Sequence, residues 1–389
     1  MSERWNDAFL NEMRLAGDRP ADSMVDKYLE GAEVVDATDR LMGTLFGPGD
    51  ASQTLPPELR QLVGPSEEAA RSFDADAVRT GQKVFRQHGP EIMMVLACYS
   101  LPAAYAARRG VQVLRDTGRL VKNPELRLLD TAQILTKMMS PNALEADHPG
   151  IVAARKVRLI HAVVRHRIAN DPKYDWDPEQ RDPDSDIPLG LPINQEDLAG
   201  TLLVFSYAIL DGLDTLGIEV DGSHREAYMA TWHYLAPILG LIPEMIPEDF
   251  EDAGALMQRI HERQHAASTA GREMTSALLD LMEGFLPFFL KTVPPSLIRF
   301  MMKKYPRVPE YIGVPRHPIT EALLPIAIHA AALVDRVLTG DPVVKRLYRT
   351  VSFRLIRELI RSMKGHRHED FAIPPELERE WMGRRARSS

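Results

Sequence analysis

Histidines placed where a helix should bury them are the first residues in this chain that could do chemistry. In KVRLIHAVVRH (156–166), Val157, Ile160, Val164 and Ile168 recur at helical spacing, and His161 completes their apolar stripe. Arg158 lies three residues before His161 and Arg165 four after, so two guanidiniums flank the imidazole on nearly one face. Such an imidazole is either a core histidine bonded to a carbonyl, its arginines reaching for water, or a metal ligand. As a ligand it suits iron in a b-type haem, with Arg158 or Arg165 meeting the propionates through charge-assisted bonds. The chain has one cysteine, Cys98, and no C-x-x-C-H, which fits a haem held without covalent attachment.

HERQH (261–265) offers a second chemistry. On a helix, His261 and His265 share a face and could reach one zinc ion, with Glu262 beside a bound water, as a zinc-dependent hydrolase requires. Arg263 and Gln264 between them are polar, the flanking run MQRIHERQHAAS is polar nearly all round, and no third ligand follows. A solvated helix face and an accidental match are therefore expected. A third chemistry, a carboxylate-bridged di-iron bundle, needs Glu-x-x-His pairs on several helices. The two present are Glu145…His148, which ends at Pro149 and Gly150, and Glu262…His265, and no further carboxylates can be assigned to complete the set.

The elements that must position these residues are helical. The 389 residues are 44% hydrophobic and 26% charged, an ordinary globular composition with room for a large core. A net charge of −8 supplies no basic face for nucleic acid. Cys98 lies in IMMVLACYSL and reads as a buried, inert thiol. Helical periodicity predicts helices near 78–108, 124–139, 151–169, 194–217, 223–241, 248–283, 294–305, 318–338 and 341–364, with no alternating strand pattern. Asn194 before QEDL is a helix N-cap, Ser223 with Glu226 has capping-box spacing, and Gly217 and Gly240 stand at C-cap positions. Residues 170–192, rich in Pro and Asp, form the longest loop.

These patterns imply an all-α protein: a single large helical domain with a peripheral N-terminal arm. The arm covers 1–75, the helical catalytic domain 76–340, and a C-terminal helix and tail 341–389. The charged start MSERWNDAFLNEMR has no apolar core of a secretory signal, and the apolar runs 201–210 and 325–334 are too short to span a bilayer, so a cytoplasmic location is expected.

A set of segments in order then narrows the reading: CYSLPAAYAARRGVQVLRDTGRL (98–120), LLDTAQILTKMM (128–139), KVRLIHAVVRH, PINQEDLAGTLLVFSYAILDGLDTLG (192–217), EAYMATWHYLAPILGL (226–241) and YIGVP (311–315). Over roughly 80–315 the chain resembles the rubber oxygenase catalytic domain family, which includes latex-clearing protein and fungal MpaB oxygenases. The resemblance implies an all-α fold with buried haem b, O₂ as co-substrate, and a hydrophobic isoprenoid or lipid-like substrate. In the latex-clearing branch the proximal histidine comes two residues after the Thr of the P-I-x-Q-x-D…T stretch. Here that position is Leu203, which cannot bind iron. His161 is then the expected ligand and His233, in TWHYL, the second choice; a member without haem and without chemistry is the remaining alternative. The same resemblance suggests Glu145 as a catalytic carboxylate base, against a plain reading as a solvated loop residue. Finally, 281–315 gathers Phe285, Phe288, Phe289, Met301 and Met302 beside Lys303 and Lys304. This suits a channel mouth or a patch resting on a membrane face.

Overall fold

A computed structural model describes residues 3–46, 55–63, 74–116, 124–145, 148–181, 186–284 and 286–338. The expected C-terminal helix 341–364 and tail lie outside the described residues. Among the described residues the fold is all helical. The only strand-like pairings there are two isolated bridges, Ala107 with His265 and Arg181 with Pro188.

Four helices form the N-terminal region: α1 (Asp7–Arg14), α2 (Arg19–Leu29), α3 (Val34–Phe46) and α4 (Pro57–Val63). The central bundle follows with α5 (Ala75–Gln87), α6 (Gly89–Val95), a π-helical turn over Leu96–Ser100, α7 (Leu101–Ala106), α8 (Gly110–Asp116), α9 (Pro124–Met138) and α10 (Pro149–Asn170). Then come α11 (Gln195–Phe205), α12 (Tyr207–Thr215), α13 (Gly222–Ile238), α14 (Phe250–Gln264) and α15 (Thr269–Gly284). The described chain ends with α16 (Val293–Met301), α17 (Val308–Tyr311) and α18 (Pro318–Leu338).

Several helices are shorter than periodicity predicts because side chains intervene in the backbone ladder. The predicted helix 194–217 breaks at Ser206, whose hydroxyl bonds the Leu202 carbonyl instead of solvent. The predicted 248–283 breaks after Gln264, where His265 turns extended. Asn194 caps α11 as expected, accepting the Asp197 amide at 3.0 Å, whereas α13 is capped by Asp221 rather than Ser223. Gly217 and Gly240 both adopt positive φ, 76° and 94°. The stretch Gln195–Thr215 is long and apolar enough to cross a membrane by length and composition, but 67% of it is buried against other helices. Helices α5 and α13 cross closely at Gly81, where a Cβ would come within 2.1 Å of the Thr231 hydroxyl.

The N-terminal region is not a peripheral arm. Trp5 and Leu10 are buried in the main core, while Ala21, Val25, Leu29, Leu41 and Leu59 pack with Leu159, Ala162 and Val163 of α10 in a second one. Charge reinforces the docking. Asp18 accepts two bonds from Arg158 (2.6 and 2.8 Å), Asp22 one from Arg165 (2.7 Å), Asp26 pairs with His166 (2.6 Å), and Asp39 with Arg167. Composition alone does not reveal this, because the acidic residues are spread over α2 and α3 and meet their partners only in three dimensions.

The segment 281–315 divides. Leu297, Ile298, Met301 and Met302 belong to the core, whereas Phe288 and Phe289 are 87% and 75% exposed. Lys304 is bonded to the buried Asp211, and the Lys303 ammonium lies 5.2 Å from the Phe300 ring centre, so the two lysines are not an equivalent solvated pair.

Candidate functional site

A cavity of about 810 Å³ runs through the bundle, within the usual range for a site that holds a cofactor or small ligand. Its walls are chiefly aliphatic, and three imidazoles reach it from two directions. On one wall, α10 presents Val157, Ile160, His161 and Val164. On another, the end of α14 presents Ile260, His261, Gln264 and His265. Helices α10 and α14 both contribute residues to the cavity lining. Trp232 of α13 lines a further side and stacks on Phe205 with ring centres 5.6 Å apart. Met42 of α3 also lines the cavity, so the N-terminal region helps to build the site.

His161 is therefore on the cavity wall, as its place in the apolar stripe implies. Arg158 and Arg165 are not beside it as propionate partners. Their heads engage Asp18 and Asp22, and neither lines the cavity. Residues 157, 160, 161 and 164 form one face of α10, and 158, 162 and 165 the next face about 100° round. Sequence spacing placed them as neighbours, and the acidic residues of α2 pull the guanidiniums to the far side.

His233 does not line the cavity, although its neighbour Trp232 does. Burial holds its imidazole below the usual range, with Asp249 opposing. Glu145 is also outside the cavity. It sits half-exposed on the loop after α9, 3.8 Å from both Arg79 and His148, the arrangement of a solvated ion pair. Leu203 is fully buried in the core and does not border the cavity, so no iron ligand comes from that position.

The expectation that HERQH forms a solvated face is overturned. His261, Arg263 and Gln264 are buried, and only Glu262 faces solvent, where it holds Gln258 and Arg259. The His261 and His265 rings stack with centres 3.9 Å apart, and Tyr305 meets His261 edge-on at 4.4 Å. Burial keeps both imidazoles neutral: His261 falls well below its ordinary value, and His265 falls to about 3. The buried Nδ1 of His261 has no hydrogen-bond partner.

This arrangement lacks the assembled ligand set of a hydrolytic zinc site among the described residues. Glu262 points away from the histidine pair, and among the described residues no third His, Cys, Asp or Glu completes a metal cluster. The Glu145…His148 and Glu262…His265 pairs are likewise far from being joined in a di-iron set, since Glu145 and Glu262 both lie outside the cavity.

Polar residues of α14 are buried because they serve a charge hub behind the imidazoles. Glu196, fully buried on α11, accepts from Arg263 Nε at 2.9 Å, Gln264 Nε2 at 3.0 Å and Arg14 at 3.3 Å. Arg14 also bonds Asp197 at 3.2 Å and the Pro188 carbonyl at 2.8 Å, and Arg109 donates to the Arg263 carbonyl and Gln264. Burial pushes the Asp197 carboxyl above its usual range, while Arg14 pulls it back. Gln195 completes the NQED stretch by bonding the Gly17 and Gly240 carbonyls, each at 2.9 Å. NQED is thus a structural joint between α1, α11 and α14. Sequence reasoning missed this, although a signal was present. His261 and Gln264 follow Ala253, Met257 and Ile260 at core-face spacing, and polar residues on a core face announce a buried network. Cys98 is buried and its thiol is pushed up to about 12, as an inert core cysteine requires.

The family model for the ER-bound oxygenase mpaB/B'/rubber oxygenase catalytic domain matches residues 85–361. A rubber oxygenase from Streptomyces sp. (strain K30) is 24% identical over 177 residues. The match covers 46% of this chain and only 41% of that enzyme, well short of its whole length. The solved structure of latex clearing protein LCP in the closed state superposes with a TM-score of 0.67 at 18% identity, covering 90% of this chain and 91% of that one. At that identity the superposition establishes the shared helical fold, and the extent of the family match establishes the lineage: this chain belongs to the mpaB/rubber oxygenase catalytic-domain family.

Proposed function

We propose that this protein is a haem b-dependent oxygenase acting on a hydrophobic, isoprenoid or lipid-like substrate with O₂, and that His161 is the iron ligand on the α10 wall. The observation that carries this is an apolar cavity of about 810 Å³ whose walls present imidazoles from two different helices. The residues fit the group on three counts. His161 stands beside the aliphatic Val157, Ile160 and Val164, the α14 imidazoles are held neutral by burial, and the buried His261 Nδ1 has no hydrogen-bond partner. Bound haem b supplies the iron at which O₂ is activated for oxidative cleavage of a carbon–carbon double bond.

The chain's own residues do the rest. Val157, Ile160, Val164, Trp232 and the facing aliphatic side chains exclude water and accept an apolar chain. Glu196 is saturated by Arg14, Arg263 and Gln264, so it fixes the α14 wall and is not free to move a proton. The family supports oxygenase chemistry, and the rubber oxygenase relative supports a hydrophobic substrate. The test is haem content and the visible spectrum of the purified protein. About one haem b per chain is expected, with content falling at least several-fold in His161→Ala. Stoichiometric zinc without haem, or neither group, contradicts the reading.

A further inference from the structure

We infer that the solvent end of the cavity is a carboxylate-binding subsite built from Arg167 and Lys173, and that the substrate is an amphipathic acid whose apolar chain lies along the aliphatic walls. The inference rests on the hydrophobic-substrate part of the reading above and narrows it to compounds with a single anionic head. Among the described residues, the charged side chains lining the cavity are Asp39, Arg167, Lys173, Glu196 and Asp197. Glu196 and Asp197 are held by Arg14, and Glu196 also by Arg263. The other three meet at one end. Arg167 stands on the last turn of α10, Lys173 follows on the 3₁₀ turn Pro172–Tyr174, and Asp39 of α3 accepts from the Arg167 guanidinium. This end borders solvent, since Asp39 and Lys173 are both exposed.

The charge at this end is unbalanced. Two cations against one carboxylate leave a single positive charge at the edge of chiefly aliphatic walls, and a monoanionic head balances it. A diphosphate carries more negative charge than this end can match. Arg167 has donors to give. Its guanidinium engages Asp39 through one terminal nitrogen, while its buried Nε has no hydrogen-bond partner. A guanidinium fork suits a carboxylate, and a pair whose acid is exposed is weak enough to share its cation with a ligand. The Lys173 ammonium stands over the Tyr174 ring, 5.5 Å from its centre, and Tyr174 also lines the cavity. A head fixed here sets the register of the chain against His161 on the same helix, and so selects which carbon lies beside it. The propionates of the proposed haem carry the same carboxylate chemistry, so the test separates the two sources.

The experiment follows displacement of the neutral dye Nile red from the purified protein by laurate and by methyl laurate, the same chain with and without its charge. Wild type is expected to release the dye at a laurate concentration at least about tenfold below that of the ester. In Arg167→Gln with Lys173→Gln the two should agree within about twofold. Should the double variant fail to fold, Lys173→Glu, a change at an exposed position, carries the same comparison and should also abolish the preference for laurate. Asp39→Asn should keep the preference or widen it. A parallel arm measures uptake of haemin and of its dimethyl ester by wild type and the double variant. Equal competition by laurate and ester in wild type, or a preference unchanged in the double variant, overturns the inference. Equal competition together with a double variant that loses haemin but not the dimethyl ester assigns this end to the propionates instead. Wild type that prefers laurate yet takes up no haemin supports the subsite and overturns the haem reading alone.

Discussion

The two imidazole-bearing walls of the cavity are built in opposite ways. On α10 the cavity-lining residues are aliphatic apart from His161 and Arg167, and the helix's charges pair outward with α2 and α3, from the buried Asp18 to the exposed Asp26 and Asp39. On α14 the charges are inside, where Arg263 and Gln264 converge with Arg14 on a carboxylate that has no contact with water. The first wall is held by hydrophobic packing with ion pairs at its margin. The second is held by a buried network in which each member depends on the others. The same residue types therefore carry very different energetic weight.

Glu196→Ala gives the largest expected effect. It strands Arg14 and Arg263 without a buried counter-charge, and a loss of about 3–5 kcal/mol is expected in chemical denaturation. Asp39→Asn and Asp26→Asn, whose carboxylates are 61% and 62% exposed, should each cost no more than about 1 kcal/mol in the same assay. Equal losses at the two sites would remove the contrast between the walls. Glu262→Ala should be nearly silent in both stability and haem content, because Glu262 only holds Gln258 and Arg259 at the surface. A large loss of metal or activity there would revive the hydrolase. Native Cys98 should resist alkylation at pH 8, since a thiol pushed up to about 12 is scarcely ionised there, and should react only after unfolding. The smallest effect concerns Phe288 and Phe289. Low-salt sedimentation with anionic liposomes should show weak binding that Phe288→Asp with Phe289→Asp reduces. Wild type remaining wholly in the supernatant removes the membrane contact from the account.

Much of the fold is legible in the chain because it is written in local signals. The apolar stripes, the Asn194 cap and the glycines at 217 and 240 identify most helices, and the stripe through Val157, Ile160 and Val164 places His161 facing inward. What local pattern cannot show is which long polar side chain finds a partner from a distant segment. Arg158 looks like a companion of His161 until Asp18, 140 residues earlier, claims it. HERQH looks solvated until Glu196 explains why Arg263 and Gln264 are buried. Both readings fail for one reason: spacing gives proximity along a helix, whereas the direction of a charged head is decided by long-range contacts.

The most direct measurement is haem content, with the visible spectrum, of wild type and His161→Ala purified side by side. About one haem b per wild-type chain and an at least several-fold loss in the variant are expected, with the fold unchanged by circular dichroism. Wild type without haem, or a variant with full haem and an identical spectrum, contradicts the claim that the α10 wall holds the iron.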